Sequence, residues 1–242
     1  MIWFDEIDST NTEARRRAEA GSPGPVWLAA RLQNAGRGRL GRAWVSKPGN
    51  LYATLLLPVA GGIASAIRFP FAAGVAVAQL CESLLDNTQI ELKWPNDIRI
   101  DRAKLGGILV ESGRLANSEQ TWAAIGIGLN IAHAPEAQTQ ATTCLEVHTQ
   151  RSGLQPDFIL GALRTHLGDA LHLAETDFAA LLEIWLTYAE GLGQTLEAGP
   201  PGRRLRGVFT GIDYDGGLLL TLPDGSEQTI RAGEIELVKQ VD

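Results

Sequence analysis

From Gln33 to Asn50 the chain reads QNAGRGRLGRAWVSKPGN, and no other stretch restricts the fold as much. It shows neither the two-residue nor the 3.6-residue apolar period, so it is a loop. VWLAARL before it and LYATLLLP after it read as buried strands. Within the loop, Arg37, Arg39 and Arg42 alternate with Gly36, Gly38 and Gly41, which allow the backbone to fold closely around a ligand. Guanidinium groups bind carboxylate and phosphate bidentately and stay charged at any working pH, so this is an anion clamp. A solvated basic loop or an RNA-binding Arg-Gly segment has the same composition. The position between two buried strands, and Trp44 as a flat surface for stacking a base, favour the clamp.

The rest of the chain supplies a scaffold. IWFDEI reads as a strand, and Asp8-Ser9-Thr10 opens a helix through Arg17, with Thr10 and Glu13 spaced as a capping box. Residues 67–86 are small and apolar, as in a helix packed deep against a sheet. IELKW, KLGGILVES and TWAAIGIGLNI add three β segments, the first two separated by a turn around Asp101 and Arg102. Residues 132–155 are rich in Ala, Gln, Thr and Pro and read as a mobile connection, a lid in outline. Two helices are expected after it, from Asp157 to about Ala174 and from Asp177 to Glu190. Glycines and prolines between 191 and 202 then break the chain, dividing it into domains 1–193 and 194–242. RRLRGVFTGID, GGLLLTL and SEQTIRA in the second domain alternate between Asp-Gly turns, as in a small antiparallel barrel. The fold class is α+β.

A second constellation is KWPND, Lys93 to Asp97, with Lys104 and Gly106-Gly107 beyond it. Proline stops the ladder and presents Asn96 and Asp97 at a strand end, where they can reach a ligand or a Mg²⁺ ion. Lys104 on its own reads equally well as an exposed strand-edge lysine. The paired glycines weaken a strand unless something approaches the backbone closely. GIGLN, Gly126 to Asn130, is either another close-approach strand or a packing seam of small residues.

The net charge of -7 and pI near 5.2 repel phosphate backbones, so polyphosphate binding must be local and an RNA-binding module is disfavoured. Cys81 and Cys144 stand far apart, with no metal spacing, and read as reduced thiols. The N-terminus MIWFDEIDST has acids where a secretory signal would be basic and then apolar, and no apolar run is taken as long enough for a bilayer. A cytoplasmic protein without membrane contact is expected.

GRGRLGRAW, KWPND, KLGGILVE and GIGLN, in this order and spacing and with STN after the first strand, resemble the catalytic core of the biotin protein ligases (biotin-[acetyl-CoA-carboxylase] ligases). The resemblance is close over residues 3–131 and looser beyond, where RAGEIEL resembles part of the family's SH3-like domain. It implies a class II synthetase-like mixed sheet with helices, followed by a small SH3-like β-barrel. It also implies biotin and ATP as substrates, Mg²⁺ arriving with ATP near Asn96 and Asp97 without a fixed metal site, and a biotin carboxyl carrier protein as partner. Ser9, Thr10, Asn11, Gln33, Arg37, Gly38, Arg39, Lys104 and Gly106 are the residues so implied for biotin, and Arg37, Arg39, Arg42, Trp44, Asn96 and Asn130 for ATP. Lys104, Asp97 and Arg39 are implied as catalytic, with Asp97 accepting a proton from the target lysine. Leu40 stands where many relatives have a further Arg, Asn34 where Gln is common, and Cys144 where Ser is usual. The chain begins at the first strand, so the helix-turn-helix of bifunctional members is not expected, nor is DNA binding. A homodimer is left open. Lipoate or octanoate attachment enzymes, which share the architecture and acyl-transfer logic, are the alternative.

Overall fold

In the computed structural model, residues 1–115, 118–136, 140–151, 153–200 and 202–238 are described. Sixteen elements follow one another: β1 (Ile2–Ile7), α1 (Thr10–Glu19), β2 (Val26–Gln33), β3 (Leu51–Val59), α2 (Phe69–Leu84), β4 (Ile90–Lys93), β5 (Asp97–Ile100), β6 (Ala103–Arg114), β7 (Thr121–Leu129), α3 (Pro156–Thr176), α4 (Phe178–Thr187), β8 (Thr195–Gly199), β9 (Leu205–Ile212), β10 (Leu218–Thr221), β11 (Glu227–Ile230) and β12 (Glu234–Leu237). The first seven strands form one sheet in the order β1-β2-β3-β7-β6-β5-β4. Only β1 and β2, joined through α1, run parallel; the other neighbours are antiparallel. This is the mixed sheet expected.

Period-2 alternation gives the sheet two different faces. Trp27, Ala29, Ala123, Ile125 and Ile127 point into the main core with α2, α3 and α4. Leu28, Leu56, Trp122 and Ala124 point the other way, against Ala14 and Ala18 of α1. One short helix cannot cover that second face, and the part it leaves open is the floor of a cleft.

Helix α2 is apolar all round, and a helix of that kind is stable only when surrounded. With the 3₁₀ turn before it, the run Ile63–Leu84 has mean hydropathy 1.5 and is long and apolar enough to cross a bilayer, contrary to the expectation from the sequence. It is instead packed between the sheet and α3 and α4, with Gly74 admitting the Trp185 indole at van der Waals distance. Both cysteines are free and buried, and burial pushes the Cys81 thiol up to about 12.

Three local expectations need correction. Ser9, not Thr10, caps α1, its hydroxyl accepting from the Thr12 N–H, while Glu13 pairs with Arg16 and Arg17. Thr10 is drawn away by long-range partners described below. The KWPND turn does not lead straight into the next long strand, because Asp97–Ile100 forms β5, and the Asp101-Arg102 turn, both residues at positive φ, joins β5 to β6. Residues 140–148 are not a free connection: backbone hydrogen bonds tie Ala141 and Thr143 to Lys104, and Leu145 to Asn130. Residues 137–139 and 152 of that segment, and Pro201 of the chain break, lie outside the described residues.

The C-terminal β domain is an antiparallel sheet of five strands in the order β11-β10-β9-β8-β12. β8 and β12 fall outside the three alternating segments read from the sequence. The Trp94 indole N–H donates to the Gly216 carbonyl at 3.1 Å, which ties the KWPND turn to this second sheet.

Candidate active site

The cleft encloses about 1060 Å³. Its walls are the N-terminus of α1, the 37–45 part of the clamp loop, the 93–97 turn, residues 140–142 and the start of β12. Every residue implied for biotin, ATP or catalysis lines it except Gly106, whereas Gly36 and Gly41 of the clamp do not. Gly106 sits inside the sheet, where a Cβ would come 2.8 Å from the Gly128 carbonyl oxygen, and Gly107 is the one that faces the cleft.

One end of the cleft is neutral and closed. Ser9, Thr10, Asn11, Gln33 and Thr54 are all buried there. The Thr10 backbone N–H donates to Gln33 Oε1 at 2.9 Å, and the Thr10 hydroxyl lies 3.2 Å from the same oxygen. Thr54 Oγ1 lies 2.8 Å from Thr10 Oγ1 and 2.7 Å from Asn11 Oδ1. Two hydroxyl protons thus serve three oxygen-oxygen contacts, so one of the three lacks a bridging proton. Asn11 Nδ2 donates to the Leu109 carbonyl at 3.1 Å and to Glu111 Oε2 at 3.0 Å. Asn11 fits only because residue 126 is glycine; a Cβ there would overlap Asn11 Oδ1.

The other end is charged and open. Arg37 pairs with Glu111 and donates to Thr12 Oγ1 at 3.3 Å, and Arg42 pairs with Glu234 of β12. Arg39 has no carboxylate partner among the described residues; it donates to Asn96 Oδ1 at 3.1 Å. Burial pulls its guanidinium below the ordinary value, with the Asp97 carboxylate acting in the opposite direction, yet an arginine so placed remains a cation. Lys104 Nζ lies 2.7 Å from Asp97 Oδ1 and 5.4 Å from the centre of the Trp44 ring. Far from being an exposed edge lysine, its side chain is only 17% accessible.

Trp44 lies across the strands between the two ends. A Cβ on Gly128 would come 2.6 Å from its ring, and one on Gly107 3.1 Å, so both glycines serve as a seat for the indole. In the GIGLN strand Gly126 and Gly128 thus leave room for the protein's own Asn11 and Trp44 side chains. The buried Trp44 Nε1 has no hydrogen-bond partner among the described residues. Asn96 donates to the Ile108 carbonyl and accepts from Arg39, which holds the KWPND turn against β6. Asn130 lines the cleft, but its carboxamide is engaged by the Thr143 carbonyl at 3.0 Å and by Asn50 at 3.5 Å.

Several residues here escaped the sequence reading. Thr54 and Glu111 lie on β3 and β6 and look like ordinary strand residues until the register places them over α1. Glu234 and Glu236 reach the cleft from the second domain; RAGEIEL was their only signal.

Comparison with known proteins adds the family. The model of the biotin/lipoate A/B protein ligase family matches residues 3–130, and that of the biotin protein ligase C terminal domain matches residues 191–238. Over 236 residues the chain is 36% identical to a biotin-[acetyl-CoA-carboxylase] ligase of Paracoccus denitrificans, covering 94% of this chain and 96% of that protein. It is 31% identical to a bifunctional ligase/repressor of Escherichia coli (strain K12), covering 96% of this chain and 72% of that protein. The fold is similar to a biotin protein ligase from Aquifex aeolicus in complex with biotin and ATP, with a TM-score of 0.78, 26% identity and coverage of 99% and 98% of the two chains.

Proposed function

The chain belongs to the biotin/lipoate A/B protein ligase family, and from that premise we propose that its cleft works as an ATP-dependent biotin protein ligase. A biotin carboxylate oxygen attacks the α-phosphorus of ATP and the bond to the β-phosphate breaks, releasing pyrophosphate and leaving biotinyl-5′-AMP. A lysine amine of a biotin carboxyl carrier protein then attacks the acyl carbonyl, AMP leaves, and an amide remains. The observation that carries this reading is the division of the cleft, with a neutral hydrogen-bonding end joined to an end that gathers Arg37, Arg39, Arg42 and Lys104.

The roles follow from charge and geometry. Ser9, Thr10, Asn11 and Gln33 face a ring that both donates and accepts hydrogen bonds. Joining a carboxylate to a triphosphate brings anions together, so the junction needs cations held in advance. Arg37, with the backbone of Gly38, and Lys104 meet the carboxylate and α-phosphate, and Arg39, with no carboxylate partner, is the first to engage the phosphates. Trp44, Arg42, Asn96 and Asn130 form the nucleotide side, and Trp44 offers its ring to adenine. Gly107 takes the close-approach role expected of Gly106. Asp97, its carboxylate 2.7 Å from Lys104 Nζ, accepts the proton that the carrier lysine loses.

Among the described residues no three His, Cys, Asp or Glu converge, and the Asp97 carboxylate is held by Lys104. The donor set fits Mg²⁺ carried in by the nucleotide phosphates, where it would neutralise phosphate charge. ATP and acyl carriers are interior substrates, so the cytoplasm is the expected location, and the net charge of -7 gives no general attraction for DNA.

The test is to incubate the protein with ATP, Mg²⁺, biotin and a purified carrier domain and to detect covalent biotin on the carrier. Labelling that needs both ATP and the carrier's target lysine is expected. Transfer of lipoate or octanoate in place of biotin would overturn the reading.

A further inference from the structure

We propose that Glu111 is a positioning residue for adenylate formation, using its two carboxylate oxygens to fix the loop cation Arg37 and the helix amide Asn11 where the neutral and charged ends meet. This deepens the ligase reading and rests on it.

Glu111 sits on β6 opposite Ala124 of β7, a side chain too small to obstruct it. One of its oxygens takes Arg37 Nη2, and the other accepts from Asn11 Nδ2 at 3.0 Å. Three segments far apart in the chain, α1, the clamp loop and β6, are therefore held by one group. Arg37 uses a further N–H on Thr12, so its position is set from two sides, and the rest of its donors remain for the cleft it lines.

Stability is a poor reason for this pair. The Arg37 and Glu111 side chains are 36% and 22% accessible, and partly exposed ion pairs contribute little to folding. Anion affinity is a worse one, because a carboxylate beside the clamp subtracts from the positive field that attracts ATP. What the contact does supply is direction. A guanidinium that must meet a developing phosphate charge loses effect when it is free to swing, and misplacement by about 1 Å costs on the order of a hundredfold in rate.

Positioning and attraction predict opposite signs when Glu111 is changed. Glu111→Gln keeps the shape, but its amide turns a donor toward either Arg37 or Asn11, both of which are donors there, and the cleft gains one positive charge. The kcat for pyrophosphate release should fall about ten- to a hundredfold, while the KM for ATP stays level or drops. Glu111→Asp, which keeps the charge one methylene further back, should recover part of kcat. In an Arg37→Gln background, Glu111→Gln should cost less than about twofold more in kcat, because the cation it orients is gone and its remaining partner, Asn11, belongs to the biotin end and bears on the KM for biotin.

The experiment is initial-rate pyrophosphate release at varied ATP and biotin for these four variants and the wild type, with melting curves to check folding. The proposal is overturned if Glu111→Gln keeps its kcat, if the KM for ATP rises at unchanged kcat, or if the two losses multiply in the double variant. Should the Gln variant not fold, Glu111→Asp decides: reduced kcat at unchanged KM for ATP supports the role, and wild-type kcat ends it. A wild type that releases no pyrophosphate with biotin refutes the ligase reading itself, a distinguishable result.

Discussion

The two ends of the cleft solve different problems with different chemistry. At the closed end Thr10, Asn11, Gln33 and Thr54 are buried, uncharged and mutually hydrogen-bonded, so each depends on its neighbours for direction. At the open end Arg37, Arg42 and Lys104 each carry a carboxylate partner, and Arg39 has none among the described residues. A buried neutral network discriminates shape and hydrogen-bond pattern, because an ill-fitting ligand leaves polar groups unsatisfied at about 1–3 kcal/mol each. Paired charges at a cleft discriminate shape less, but a cation held by a carboxylate can exchange that anion for another. Recognition is therefore assigned to the closed end and chemistry to the open one.

The largest expected break in that division is Lys104→Ala. It removes the cation assigned to the reacting oxygens and leaves the half-buried Asp97 carboxylate unpaired, so adenylate formation should fall by at least about a thousandfold, a far larger effect than the modest fall expected in melting temperature. Pyrophosphate release near the wild-type rate would contradict the assignment of chemistry to this end.

Arg39→Gly tests the retention of the intermediate. A charge-assisted contact to phosphate is worth about 1.5–3 kcal/mol, so biotinyl-AMP should escape about ten- to a hundredfold faster while Arg37 and Lys104 still allow it to form. Incubation with ATP, biotin and an unrelated lysine-rich protein, followed by a blot for biotin, should show diffuse labelling by the variant. Equal bystander labelling by wild type and variant, with ATP still consumed, would remove Arg39 from the gate.

Thr54→Val sharpens the other side. It deletes the hydroxyl shared by Thr10 and Asn11, at a cost of about 1–2 kcal/mol. The KM for biotin should rise roughly tenfold, with the KM for ATP unaffected. Equal increases for both substrates would mean that the two ends are not separable.

The smallest effect lies beneath the open end. Burial first, and the Glu190 carboxylate second, hold the Glu91 carboxyl above its ordinary range. An acid with a raised folded pKa costs stability when ionised, and that cost fades as pH falls through the folded value. Glu91→Gln should thus stabilise the protein at pH 7 by less than about 1 kcal/mol, given screening by solvent, and lose that advantage in acid. Melting curves at the two pH values check it; a clear destabilisation at pH 7 would reverse the sign.

What could be read in the sequence was what local composition encodes. The clamp loop announced itself by Gly and Arg without period, and KWPND by a proline after a strand. Strand β5 was hidden because DIRI is only four residues between two turns, too short to show a period. The capping of α1 was misjudged because Thr10 satisfies a capping pattern locally but is claimed by Gln33, 23 positions away. Glu111 gave no local signal, and Glu234 none beyond RAGEIEL, because their partners, Arg37 and Arg42, are brought to them only by sheet register and by the packing of the second sheet. The apolar run through α2 is the converse: its composition fits a bilayer, and only the surrounding helices and sheet show that the protein itself buries it.

The account stands most directly on which acid drives the first half-reaction. The closed end offers amides and hydroxyls that complement a ring bearing both N–H and C=O, and nothing there pairs with a dithiolane. Pyrophosphate release measured with ATP and equal concentrations of biotin or lipoate should favour biotin by about a hundredfold or more, since a site built to hydrogen-bond its ligand rejects one that cannot reciprocate. Comparable rates with the two acids would contradict the assignment of recognition to Thr10, Asn11, Gln33 and Thr54.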